Sequence, residues 1–475
     1  MKNAFILPNL DEARKRNKEV AQTYNFLLDP KYLHMGDNKR YYIVSHGCQA
    51  NVRDSEAMAG ILDELGYNPS ETKENADVVI FNTCAIRQGA EEKVFGEIGA
   101  LKKAKNNNPD LIICFAGCMA QEEHTVKTII EKYPWVNVIF GTHNIHDLPR
   151  LLYETMESKR RKVEVYSKMG EIIEEVPVTR MFAHKASVNI MYGCNKFCTY
   201  CIVPYTRGKE RSRRPIDVIK EVEELVKQGY KEVTLLGQNV NAYGKDLGID
   251  YTFGNLLADV SKTNIPRIRF MTSHPWDFDD TMIEAIKNNK NIMPSIHLPL
   301  QSGNDHILMK MNRRYTSEEY KALFDKLKAN IPNAAFTTDI IVGFPNETEE
   351  MFLDTLKMVD YCKYDNAFTF IFSPRTGTPA AKMEDSITHL EKEQRLARLN
   401  EKVAYYANQN NQKYKDQIVE VLVDGLSKKN DKVYSGYTPE GKLVNFTGEN
   451  IKIGELVNVK IIETLSFSLN GILVK

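Results

Sequence analysis

Three thiols stand within eight positions in the run Gly193-Cys194-Asn195-Lys196-Phe197-Cys198-Thr199-Tyr200-Cys201, spaced Cys-x3-Cys-x2-Cys. Soft thiolates at this density suit an iron–sulfur cluster or zinc. Structural zinc almost always takes four ligands, usually as two pairs; this loop offers three, and no His follows closely. A four-iron cluster on three thiolates leaves one iron open for chemistry. A zinc completed from elsewhere in the chain, and a chance grouping of cysteines, are the other readings.

A second set is dispersed. Cys48, Cys84 and Cys118 lie 36 and 34 positions apart, and each follows closely on an apolar run, at 41–44, 78–81 and 111–115. If those runs are parallel strands, they end on one side of a sheet and the three thiols converge there. That suggests a second three-thiolate cluster, with separate buried cysteines as the alternative. Cys114 and Cys362 sit within apolar patterns and read as small core residues.

The totals narrow the classes. Lys+Arg and Asp+Glu both number 63 in 475 residues, with 42% hydrophobic and 27% charged residues. This is a globular, multi-domain composition, and its charge indicates neither nucleic acid nor membrane, so any polyanion site must come from local patterning. No apolar run approaches the roughly 18 residues of a membrane span, and the N-terminus shows no cleavable signal pattern. The expected location is the cytoplasm, where disulfides are rare, so eight cysteines call for another role. Metal binding is the obvious one.

The elements that must position these residues fall into five stretches. Residues 1–39 form a polar extension. Residues 40–150 alternate strand and helix with continuous apolar strands, the pattern of a parallel sheet covered on both faces. Residues 151–185 are charged and irregular, as a linker is. Residues 186–411 carry six βα units, with strands at 187–192, 232–236, 267–271, 295–298, 336–342 and 367–372. Six is short of the eight that close a full barrel, so an open partial barrel is expected. Residues 412–475 change to short β segments at 418–423, 442–446, 456–462 and 466–474, a small β-barrel of a kind that often binds RNA. The fold class is thus α/β, with a parallel-sheet domain, a partial (βα)6 barrel and a C-terminal β-barrel.

Several polar groups stand at strand exits of the second unit: Gln238, Ser273, Gln301 and Asp339. Together they would line the top of the barrel beside the cysteine loop. The basic stretch from Arg207 to Arg214, with Arg211 and Arg213, reads either as a solvated face or as a contact for carboxylate or phosphate. Lys428 and Lys429 occupy a loop suited to phosphate, although the terminal β-barrel also reads as a structural cap.

The cysteine spacing, with Tyr200 just before the third thiol, resembles the radical S-adenosylmethionine superfamily. With its flanking units, the chain from about residue 40 to 475 looks like the methylthiotransferase family, which joins a three-cysteine cluster domain to a radical S-adenosylmethionine barrel and an RNA-binding barrel called TRAM. Gly47-Cys48-Gln49-Ala50-Asn51 with Asp54-Ser55-Glu56, Val203-Pro204-Tyr205-Thr206-Arg207-Gly208, and the stretch from Asp424-Gly425 to Asn430 are similar to the branch that modifies isopentenyladenosine in tRNA. Ala50 stands where that branch often carries Met, a small departure.

The resemblance implies two 4Fe-4S clusters, one on Cys194, Cys198 and Cys201 and an auxiliary one on Cys48, Cys84 and Cys118, with Tyr200 against the adenine of S-adenosylmethionine. It implies that the first cluster cleaves S-adenosylmethionine to a 5′-deoxyadenosyl radical that takes hydrogen from the adenine 2-position. The auxiliary cluster would hold the sulfur that a second S-adenosylmethionine methylates. By their positions, Gln238, Ser273, Gln301 and Asp339 are expected near the cofactor, and Arg207, Arg211, Arg213, Lys428 and Lys429 toward tRNA. An electron donor such as a flavodoxin or ferredoxin and a monomeric, cytoplasmic enzyme complete the expectation. The rivals are a methylthiotransferase for threonylcarbamoyladenosine or a ribosomal-protein aspartate, and a non-catalytic, metal-stabilised RNA-binding protein.

Overall fold

Runs of β-branched and aromatic residues bounded by helices build the first unit. The computed structural model describes residues 21–474, apart from 86–87, 167–170 and 428–429. Strands β1 (Arg40–Ser45), β2 (Val78–Thr83), β3 (Ile112–Gly117), β4 (Val138–Phe140) and β5 (Lys162–Glu164) lie side by side in chain order, all parallel. Every residue of β2 and β3 is buried, because both faces are covered. Helices α1 (Gln49–Glu64) and α4 (Leu148–Ser158) cover one face with Met58, Ile61, Leu62, Leu148, Leu151 and Leu152. Helices α2 (Gln88–Asn107) and α3 (Glu123–Lys132) cover the other with Val94, Ile98, Leu101, Val126 and Ile129. Each such side chain contributes roughly 1.5–3 kcal/mol on burial.

The sheet reaches beyond residue 150. The expected linker at 151–185 begins inside α4 and supplies β5 as the edge strand beside β4. Within it, Ile172–Glu174 pairs in parallel with Thr23–Asn25, so part of the N-terminal extension packs against it. Residues 1–20 of that polar extension lie outside the described residues.

The second unit has the six expected parallel strands: β6 (Lys185–Asn189), β7 (Glu232–Leu236), β8 (Arg267–Phe270), β9 (Ser295–His297), β10 (Ala335–Val342) and β11 (Asn366–Ile371). They form the rows β6-β7-β8 and β9-β10-β11, joined by a parallel bridge between Ile268 and Ile292. The barrel stays open between β6 and β11. The first strand ends earlier than its apolar run suggests. Met191 and Tyr192 turn away to pair antiparallel with Ser212 and Arg211, which closes the neck of the cysteine loop.

The last unit is a closed five-stranded barrel: β12 (Ile418–Ser427), β13 (Asn430–Tyr437), β14 (Leu443–Thr447), β15 (Leu456–Thr464) and β16 (Leu469–Leu473). Strand β13 is missing from the sequence expectation because most of its side chains are polar and only Gly436 is buried. The barrel docks on the amino-terminal end of the second unit. Arg267 Nη2 is 2.8 Å from Glu420, Arg269 donates to the Thr438 and Pro439 carbonyls, and Lys442 lies 2.7 Å from Asp365.

Asp424 joins this contact, accepting from His184 at 3.0 Å and from Lys185. Burial works against its charge, but these partners outweigh it and hold the carboxyl below its ordinary value. A depressed carboxylate contributes stability above its unfolded pKa and loses it as pH falls through the folded one. Asp424→Asn is therefore expected to lower stability at neutral pH by about 1–2 kcal/mol. Thermal melts of wild type and variant should converge in acid.

Candidate two-cluster active site

Strand order alone brings the first trio together. β1, β2 and β3 are neighbours about 4.8 Å apart, and Cys84 and Cys118 directly follow the last residues of β2 and β3, while Cys48 precedes α1. Gly47 lets the chain pass over Cys84: its φ is 129°, and a Cβ there would lie 2.4 Å from Cys84 Cβ and 2.9 Å from its sulfur. A hydrogen bond from Cys84 holds the Cys48 thiol down at about 5, against burial and with help from the Arg207 charge. Burial pushes the Cys118 thiol up. Asn51, one turn into α1, ties the site together by donating to the Thr83 carbonyl at 2.7 Å, while its Oδ1 lies 3.4 Å from Cys48 Sγ.

The second trio sits at the carboxyl ends of the barrel strands. Its loop is held on every side. Cys194 N donates to the Gly208 carbonyl at 3.1 Å, Thr199 N to the Met311 carbonyl at 3.0 Å, and Asn312 Nδ2 to the Phe197 carbonyl at 3.0 Å. Gln238, at the exit of β7, accepts from Gly193 N. Lys196 within the loop and Lys245 both pair with Asp277 at 2.5 Å; against the cost of burial they hold that carboxyl down at about 2. Burial raises all the shifted thiols here, Cys194 well above its ordinary value and Cys201 to about 12. Arg313 Nη1 donates to Cys198 Sγ at 3.4 Å while its Nη2 donates to the Pro299 carbonyl at 3.2 Å.

Gly193 is the conformational weak point of that loop. Its φ is 73°, and a Cβ would fall 2.0 Å from the Lys209 carbonyl oxygen. Because the obstacle is backbone, Gly193→Ala must displace the Cys194 side of the loop, at a cost on the order of 1–3 kcal/mol. The expected result is a chain that binds about half the wild-type iron after reconstitution, measured by iron assay.

The other strand exits carry a second signature. The Oγ of Ser273, Oδ1 of Asn239 and of Asn241, and Nε2 of His274 are buried without hydrogen-bond partners. Buried polar atoms are rarely left unpaired, so orphans gathered at two neighbouring strand exits fit a bound polar molecule. Gln301 is bridged to β10 with φ 69°. Asp339 Oδ2 accepts from His297 Nε2 at 3.3 Å, further down the barrel wall. Tyr200 packs with Ile307, Met311 and Phe344, and burial raises its phenol well above the ordinary value. Asn239 and His274 stand in the polar strand exits that the sequence marks, whereas nothing in it marks Arg313 or Asn241.

Three cations depart from expectation. Arg207, Arg211 and Arg213, read as RNA contacts, are buried at 5%, 4% and 6% exposure. Arg213 forks onto Glu174 at 2.5 Å and reaches Glu221 at 2.6 Å. Arg207 pairs with Asp54 at 2.7 Å, and the Arg211 guanidinium lies over the Tyr192 ring. Buried charges must be paired, and the pairing carboxylates come from distant segments. Lys428 and Lys429 lie outside the described residues.

The two trios share a wall. Ile202, next to Cys201, packs in one hydrophobic cluster with Cys118, Met119 and Ala120. Thr142 Oγ1 donates to the Thr206 carbonyl at 2.8 Å. Among the described residues, the three possible ligand atoms found within 4.8 Å of one another belong to Glu91, Glu122 and His124, not to thiols. Three soft thiols in each trio are the donor set of an iron–sulfur cluster.

Three family descriptions match the units in order: "Uncharacterized protein family UPF0004" over residues 40–141, "Radical SAM superfamily" over 188–359 and "TRAM domain" over 412–474. The chain is 56% identical over 466 residues to the tRNA-2-methylthio-N(6)-dimethylallyladenosine synthase of Staphylococcus saprophyticus, covering 98% of this chain and 91% of that protein. The synthase of Bacillus licheniformis is 53% identical over 469 residues, at 98% and 92% coverage. The solved structure of the radical S-adenosylmethionine methyltransferase TsrM from Kitasatospora setae shares the fold, with a TM-score of 0.53 at 13% identity over 72% of this chain and 75% of that one. At that identity across nearly its whole length, the chain belongs to the tRNA-2-methylthio-N(6)-dimethylallyladenosine synthase family.

Proposed function

We propose that the chain adds a methylthio group to the 2-position of N6-dimethylallyladenosine (isopentenyladenosine) beside a tRNA anticodon, using S-adenosylmethionine. The observation that carries this reading is the meeting of two cysteine trios, four of their six thiols buried, across the wall formed by Ile202 and Cys118. Cys194, Cys198 and Cys201 would hold one 4Fe-4S cluster, and Cys48, Cys84 and Cys118 a second. When bound, these groups and S-adenosylmethionine supply radical hydrogen removal and a methylated sulfur, which acid–base side chains cannot supply at an unactivated ring carbon.

The chain's own residues bind, orient and exclude water. The loop bonds to Gly208, Met311 and Asn312 fix the first trio. The orphaned atoms of Ser273, Asn239 and Asn241 are placed to bond the polar groups of S-adenosylmethionine. Tyr200 offers an apolar wall to its adenine, with Gln238 and Gln301 at the same barrel mouth and Asp339 further down the wall. Unpaired loop bases can be splayed out and received by a cavity between domains, and the C-terminal barrel serves as the RNA-holding module, with Lys428 and Lys429 toward phosphate.

Eight cysteines without a disulfide role and a tRNA substrate support work in the cytoplasm. The chain acts as a monomer and draws electrons from a flavodoxin- or ferredoxin-type donor. No described helix is long and apolar enough to cross a membrane. Nucleoside analysis of tRNA from a strain lacking the protein tests the reading. Loss of the methylthio group with the dimethylallyl group retained is expected. Intact 2-methylthio-N6-dimethylallyladenosine, or loss on threonylcarbamoyladenosine instead, would overturn it.

A further inference from the structure

Arg207 belongs to the second unit, six positions after Cys201, yet its side chain ends in the first. Its Nε donates to Cys118 Sγ at 3.3 Å, its Nη2 to Asn51 Oδ1 at 3.3 Å, and it pairs with Asp54 Oδ2 at 2.7 Å. The guanidinium is buried, so its charge is weakly screened. A cation and N–H donors at a ligand sulfur stabilise the more electron-rich state of an iron–sulfur cluster and raise its potential. Asp54, paired with Nη2 of the same guanidinium, has the opposite sign. The second trio is served separately, by Arg313 on Cys198.

We propose that Arg207 is a positioning residue that sets the reduction potential of the cluster on Cys48, Cys84 and Cys118, with Asp54 as its counterweight. The second unit thereby reaches across the domain boundary to tune the sulfur-carrying centre of the first. This rests on the reading that the trio holds a cluster.

The test is an EPR-monitored redox titration of reconstituted full-length chain in a Cys194→Ala/Cys198→Ala/Cys201→Ala background, which leaves one cluster to observe. At a fixed applied potential, Arg207→Gln should lower the reduced-to-oxidised ratio and Asp54→Asn should raise it. A tenfold change either way is a 59 mV shift for a one-electron couple. A purely structural role predicts no such opposition of sign. Shifts in the same direction, or none in either variant at full iron content, overturn the proposal. Asp54→Asn decides the matter even if Arg207→Gln folds poorly, because an unmoved or lowered potential in it contradicts the account. If the triple-Ala background binds no iron, the cluster reading fails, whereas iron with unmoved potentials sinks only the role of Arg207.

Discussion

Cys198→Ala is expected to abolish cleavage of S-adenosylmethionine and all thiolation of tRNA. Cys198 is buried and accepts from Arg313, so its sulfur is fixed by the fold and no nearby group can replace it. Mutating residues one shell beyond a metal ligand typically costs about 10–100-fold. Removing the ligand itself should cost more than about 100-fold, leaving 5′-deoxyadenosine below detection in a chromatographic assay. The loop should survive, since its bonds to Met311, Lys310 and Asn312 involve other residues. Near-wild-type melting with no cofactor cleavage is thus the outcome. Retained cleavage would remove Cys198 from the ligand set.

Cys84→Ala should separate the two halves of the chemistry. Cys84 lies 1% exposed under Gly47 and hydrogen-bonds Cys48, while its unit meets the second trio at the wall around Ile202 and contributes no thiol to it. Reductive cleavage of S-adenosylmethionine should continue in this variant, and methylthio transfer should fall by more than about 100-fold by the same ligand argument. The paired measurement is 5′-deoxyadenosine against modified nucleoside. A Cys84→Ala chain that still thiolates tRNA would mean that the sulfur comes from elsewhere.

These contrasts were legible in the sequence because cysteine is scarce and its positions repeat with the βα unit. Parallel strands in chain order then leave the thiols little choice of where to end. Glycines before Cys48 and Cys194, needed at φ 129° and 73°, are part of the same local record. The arginines were not legible. A cation in a basic run looks the same whether it faces water, phosphate or a carboxylate from another segment, and Glu174, Glu221 and Asp54 reach Arg213 and Arg207 only through tertiary structure. Short strands failed for a related reason. Lys162–Glu164 and Asn430–Tyr437 show no long apolar run, and each is held by its neighbours rather than by its own pattern. Asn241 was invisible because an unpaired buried atom is a property of the assembled site alone.

Iron counted per chain after anaerobic reconstitution bears most directly on whether two trios hold two centres. The wild type should bind about eight iron atoms, and the Cys48→Ala/Cys84→Ala/Cys118→Ala and Cys194→Ala/Cys198→Ala/Cys201→Ala chains about four each. About four in the wild type, or a complete loss in either triple variant, would contradict the two-centre account.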